Sequence, residues 1–172
     1  MNTRAKSRPH PLVVAALVAS LVVAGAACGD TTTSRTLVIR QGPPELDTFA
    51  LTPSDGGSTS PGSLRVFDAV ITTDDGLTGN LLGTLITADF PQPANDEVLE
   101  ERIGTLVFQL GNDQLVVTGA TVYPLVDAEM QPGLTQVRSV TGGTGAYLGA
   151  TGQVTTSRND DGTYTHTFEL IG

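Results

Sequence analysis

Lysine is almost missing from this chain of 172 residues: Lys6 is the only one, and beyond residue 28 six arginines stand against all 18 acids, a local charge of −12. A surface so poor in cations makes a weak polyanion binder, which argues against nucleic acid as a partner. It is also repelled by anionic lipid head groups. Tryptophan is absent and aromatics are 5% of residues, so stacking on bases or sugars has few platforms. Cysteine occurs once, and His166 is the only histidine beyond residue 10, which removes the ligand set of a His/Cys zinc site. No metal and no cofactor are expected. No Gly-x-Ser-x-Gly elbow presents a serine to His166, and without Gly-Lys-Ser/Thr there is no P-loop. No long helical stripe and no repeat of fixed period runs along the chain. The rest is globular in composition, 39% hydrophobic with 20 glycines and 10 prolines.

The chain opens with a basic stretch, Arg4, Lys6 and Arg8, followed by an apolar run over 12–27. That run is shorter than the roughly 20 residues that span a bilayer as a helix, and it reads as an export signal over 1–27. Cys28 follows Gly25-Ala26-Ala27, and a single cysteine in an exported chain has no intramolecular partner. Gly-Ala-Ala-Cys resembles the lipobox of bacterial lipoproteins, with Gly25 where a leucine is usual. The resemblance implies that Cys28 is lipidated and becomes the first mature residue, so that the protein is extracytoplasmic and held to the membrane by acyl chains. Residues 28–34 then form a polar tether. Ordinary cleavage after Ala24-Gly25-Ala26 is the alternative, and it gives a secreted protein.

From residue 35 the pattern has period two. Val/Ile/Thr/Leu/Phe runs at 36–41, 64–73, 81–90, 103–110, 114–123, 136–141, 152–158 and 163–171 alternate with Gly, Asn, Asp and Pro clusters. Eight short strands without helical crossovers pair antiparallel, and closure into a barrel removes their edges. Asp74-Asp75-Gly76, Gly111-Asn112-Asp113 and Asn159–Gly162 supply hairpin turns. The segment 53–63 reads as a flexible surface loop. Only 95–102 has room for a turn or two of helix, with Asp96, Glu97, Glu100 and Glu101 as its solvated face. On the last strand Tyr164, His166, Phe168 and Leu170 share one face, and His166 there reads as a hydrogen-bonded core residue or as a catalyst.

The most distinctive stretch is Thr141-Gly142-Gly143-Thr144-Gly145-Ala146-Tyr147-Leu148-Gly149-Ala150-Thr151-Gly152. Its spacing misses Gly-x-Gly-x-x-Gly, and the 20 residues after it alternate as strands instead of forming a phosphate-binding helix. The glycines instead shape a tight strand connection, with Tyr147 as an apolar plug.

Gly-Gly-Thr-Gly-x-Tyr-x-Gly-Ala-x-Gly before a Val/Thr strand resembles the signature of the allene oxide cyclase and dirigent-protein superfamily. Val66-Phe67-Asp68, Asp74-Asp75-Gly76-Leu77-Thr78-Gly79 and Leu82-Gly83-Thr84 resemble its upstream hairpin, and the likeness spans residues 35–172. It implies an all-β, eight-stranded antiparallel barrel with an apolar interior cavity, commonly a homotrimer. Where the cyclases carry an acid at the end of the first strand, this chain has Arg40-Gln41, with Glu45 beyond two prolines. Arg40, Asp68, Arg138 and His166 are the candidate ligand-orienting or catalytic groups. Arg40, Asp68 and Arg138 also read as solvent-facing strand residues. Two functions follow: an envelope module that binds a small apolar ligand, or an isomerase or cyclase that folds a reactive polyene or epoxide in the cavity.

Overall fold

The structure is a computed structural model that describes residues 34–49, 61–88, 92–94, 97–124 and 129–171. The expected signal, Cys28 and most of the tether lie outside the described residues. Ser34, the last tether position, is already strand, paired with Ile171.

Ten strands occur among the described residues: β1 (Ser34–Gln41), β2 (Glu45–Phe49), β3 (Leu64–Thr73), β4 (Thr78–Thr87), β5 (Gln92–Ala94), β6 (Glu97–Leu110), β7 (Asp113–Pro124), β8 (Thr135–Thr144), β9 (Thr151–Arg158) and β10 (Tyr164–Ile171). Eight of them close a ring in the spatial order β1, β10, β9, β8, β7, β6, β4, β3, with β3 returning to β1. All ring pairs are antiparallel. The closing seam is short, running from Ile39 opposite Thr73 to Gln41 opposite Ile71. Gly42, Pro43 and Pro44 then interrupt the strand, since proline cannot donate to a ladder. β2 resumes pairing along the other half of β3, and β5 adds to the start of β6.

The alternation that predicts the strands also sorts their faces. On β10 Tyr164, His166, Phe168 and Leu170 are buried, and on β4 Leu81, Gly83, Leu85 and Thr87 are. Ile39, Ile71, Leu106, Phe108, Leu115, Val117 and Val154 pack with Phe168 and Leu170 into one apolar cluster.

Two expectations are corrected. Residues 97–102 are strand, not helix, because β6 begins at Glu97 and pairs with β7 along its length from Leu99. The end of the 53–63 loop belongs to the sheet: Ser63 is fully buried, and Gly62 and Ser63 exchange backbone hydrogen bonds with Thr87. Residues 53–60 lie outside the described residues.

The glycine segment joins β8 to β9 through a single 3-10 turn, Gly145–Tyr147. A Cβ on Gly152 would stand 2.0 Å from the carbonyl oxygen of Glu169, and one on Gly143 would stand 2.6 Å from the Gln114 oxygen and from Tyr147. Gly145 and Gly149 have φ of 59° and 79°, in the left-handed region that disfavours side chains. Gly142 has open space around it, and nothing in the structure explains a glycine there. Tyr147 packs against the apolar cluster, with the Arg35 guanidinium 5.0 Å from its ring centroid.

Candidate functional site

The barrel interior has two halves, and their division can be followed along one strand pair. Inward residues of β6 run Glu100, Arg102, Gly104, Leu106, Phe108, Leu110. Opposite them β7 presents Tyr123, Thr121, Gly119, Val117, Leu115. Beyond the facing glycines Gly104 and Gly119 the lining is therefore apolar on one side and polar on the other. The wholly apolar interior that the family likeness implies holds for one half only.

In the polar half Arg65, Glu100 and Arg102 are all at most 1% exposed. Glu100 Oε1 accepts from Arg65 Nη2 at 3.2 Å and from Arg102 Nε. Arg65 Nη1 also donates to Thr87 at 3.0 Å. Burial and the neighbouring Arg102 charge push the Arg65 guanidinium below its usual range. Arg102 lies 4.3 Å from the Tyr123 ring centroid, a cation–π contact that links the buried ions to the next layer.

That layer borders a cavity of about 50 Å³, or some 470 Å³ of unfilled space when its open side is included. The enclosed part has room for a few waters or one small planar group. Phe67, Leu81, Leu85, Leu106 and Met130 supply apolar wall, and Arg138, Tyr123, Tyr164, His166 and Glu129 supply the polar groups. Arg138, 4% exposed, donates through Nη2 to Thr121 Oγ1 at 2.5 Å and to Tyr123 Oη at 2.9 Å. Its stem runs over Gly119, where a Cβ would meet Arg138 Cγ at 3.2 Å. Gly119 thus leaves room for this side chain, while a Cβ on Gly104 would meet Leu85 at 2.5 Å.

His166 is fixed through both ring nitrogens. Nδ1 lies 2.9 Å from Thr156 Oγ1 and Nε2 lies 2.8 Å from Gln41 Oε1. Burial above all, and then the Arg138 charge, push its pKa down to about 3, so the imidazole is neutral near pH 7. Nε2–H donating to the Gln41 carbonyl and Thr156 donating to Nδ1 satisfy that neutral ring. Tyr164 donates to Glu129 at 3.3 Å, and Glu129 is in turn paired with Arg158 at 2.7 Å. Burial, followed by the Glu129 charge, pushes the Tyr164 phenol upward. Arg138 and the Tyr123 hydroxyl, which accepts from Arg138 and keeps its own proton, can hold a developing negative charge on a ligand oxygen, whereas the Tyr164 proton is given to Glu129. With both nitrogens of His166 in use, the imidazole is not placed to take a proton from a ligand.

The four candidate groups separate. His166 and Arg138 lie together inside the barrel. Arg40 and Asp68 fall on the outer face, because strand parity turns their neighbours Ile39, Gln41 and Ala69 inward. Arg40 has a side chain 66% exposed and pairs with Asp74, and Asp68 is exposed. An interior role for these two is corrected accordingly. Sequence reasoning missed Arg65, Glu100, Arg102 and Gln41. The signal was parity: Arg65 is in step with Phe67, Ala69 and Ile71, as Glu100 and Arg102 are with Leu106 and Phe108. Among the described residues no group of three or more His, Cys, Asp or Glu is arranged to hold a metal ion.

No protein-family model and no curated protein sequence matches the chain. Solved structures do. A pyocyanin demethylase superposes with a TM-score of 0.55 at 15% identity, covering 80% of this chain and 99% of the other. A nonspecific heme-binding cyclase that catalyses a [4 + 2] cycloaddition in neoabyssomicin biosynthesis superposes at 0.50 and 14%, covering 82% and 67%. The pterocarpan synthase dirigent protein GePTS1 overlays more loosely, at 0.46 and 17%, covering 81% and 82%. At such identities the first two likenesses show a shared barrel fold, one that serves different chemistries.

Proposed function

We propose that this protein is an exported barrel, anchored outside the cytoplasm by lipid on Cys28, that binds a small and mainly apolar ligand in its cavity. One observation carries the reading: an apolar wall with several polar side chains, Arg138, Tyr123, Tyr164, His166 and Glu129 among them, converging on a single space inside the ring, the usual composition of a small-molecule site. Mass spectrometry of the protein taken intact from its native membranes tests it. A co-purifying small molecule that is absent when Leu85 is replaced by Arg, within a still-folded barrel, is the expected result. Protein that carries nothing, and that binds no member of a panel of small apolar compounds, overturns the reading.

A cyclase or isomerase acting on a reactive polyene or epoxide is the second reading. The donors Arg138 and Tyr123 favour it, since they could stabilise an oxyanion formed during ring closure. Turnover of an epoxide substrate that is lost in Tyr123→Phe without loss of binding distinguishes the enzyme from the binding module.

We further propose that copies of the chain associate, as the resemblance implies, and that they do so through the apolar strip on the outer face of β4 and β6. On that face Leu82 pairs with Val107 and Ile86 with Ile103. Leu82, Ile86 and Ile103 are 43–56% exposed. On so acidic an exterior, this apolar strip, bordered by Asp68 and Glu101, is where a second copy buries most apolar surface.

A further inference from the structure

The charge of the molecule changes sign from outside to inside. Six arginines serve the whole region beyond residue 28, yet Arg65, Arg102 and Arg138 are buried in the barrel, and Glu100 is the one buried acid among the described residues. Glu100 is engaged by Arg65 and Arg102. Arg138 has only neutral partners, the hydroxyls of Thr121 and Tyr123. No carboxylate lies within ion-pair distance of it among the described residues, and its buried Nε has no acceptor.

A buried cation without a counter-charge costs a fold several kilocalories per mole, and an apolar side chain of similar size would serve packing better. Gly119 nevertheless leaves this side chain its space. It borders the cavity, beside the apolar walls of Leu85 and Met130.

From this we infer that the ligand is an amphipathic acid, whose carboxylate or similar planar oxyanion lies against Arg138 and supplies the charge that the protein withholds. The inference rests on the ligand-binding reading above and adds the chemical class of the ligand. The enclosed space accepts a group the size of a carboxylate, with the apolar body directed toward the open side. Thr121 and Tyr123 occupy Nη2 and hold the guanidinium plane, so the remaining donors, on Nε and Nη1, are the ones an anion would meet.

Calorimetric titration of the full-length protein in mild detergent, with trans-cinnamate and with the matched neutral cinnamamide, tests this. The wild type should bind the acid at least tenfold more tightly than the amide. In Arg138→Gln the two affinities should come within twofold of each other, with amide binding retained. Equal affinities in the wild type overturn the anion inference and leave the binding reading intact. Failure of both compounds to bind removes both. A readout that needs no variant is the wild-type melting temperature, which acid should raise and amide, at equal concentration, should raise less. Equal shifts count against the inference even where Arg138→Gln does not fold.

Discussion

Arg102 and Tyr123 form the joint between the barrel's buried ions and its cavity: the guanidinium lies 4.3 Å from the ring centroid, and the phenol oxygen of the same ring accepts from Arg138. Glu100 lies behind that joint, shared by Arg65 and Arg102. Glu100→Gln removes the carboxylate that both cations use and should cost about 3–5 kcal/mol, the scale for breaking a buried ion pair. Arg138→Met removes a charge with no carboxylate partner and should cost less than about 1 kcal/mol. Urea denaturation of the two variants checks the contrast, and similar losses would show that Arg138 serves the fold.

The neutral His166 makes stability depend on acid. Its folded pKa of about 3 lies below the ordinary histidine value, near 6.5 in an unfolded chain. Between those values the unfolded chain binds the extra proton, so this contribution is complete above about pH 6.5 and is lost as pH falls through the window toward 3. The slope is at most about 1.4 kcal/mol per pH unit. Denaturation at pH 6.5 and pH 5, above most carboxylate titration, should show the wild type losing stability faster than His166→Gln. Parallel losses would assign the acid sensitivity to other groups.

The glycines of the β8–β9 connection should not be equivalent. Gly152→Ala pushes a methyl toward the Glu169 carbonyl at a positive φ, and Gly143→Ala pushes one toward the Gln114 carbonyl. Each should cost about 1–3 kcal/mol or more, as overpacking does. Gly142→Ala should stay within about 0.5 kcal/mol. Thermal melts of the three single variants separate the sterically required glycines from the permissive one.

Lipidation is read out by location. Cys28→Ala should move the protein from the membrane fraction to the medium or periplasmic fraction, with the barrel unchanged by circular dichroism. Continued membrane association would point to an uncleaved apolar segment at 12–27.

Self-association should depend on the apolar strip of the outer face. Ile103→Lys places a cation where an isoleucine 56% exposed now stands opposite Ile86. It should shift the protein to monomer in light scattering without lowering its melting temperature by more than a few degrees. A wild type that is already monomeric at micromolar concentration would end the proposal.

Much of this architecture was legible from alternation alone. The eight ring strands, the hairpin turns and the inward face of β10 are local properties, set by side-chain parity and by residues that tolerate turns. The polar half of the interior was harder to see, because it depends on partners far apart in the chain. Glu100 lies in a run of acids that reads as a solvated face until Arg65, on another strand, is brought beside Arg102. In the sequence Gln41 reads only as standing where the cyclases carry an acid, and the pairing of β1 with β10 is what places it against His166. Glu129 lies outside every strand, so no periodicity pointed to it.

The direction of β1 has a consequence for access. Its first residue, Ser34, lies at the apolar end, where Leu37 and Phe168 pair and Tyr147 packs. Its last, Gln41, borders the cavity. The two ends of an eight-residue strand are about 25 Å apart. The chain therefore enters the barrel at its filled end, and a ligand that reaches Arg138 would do so from the opposite end, beside Gln41.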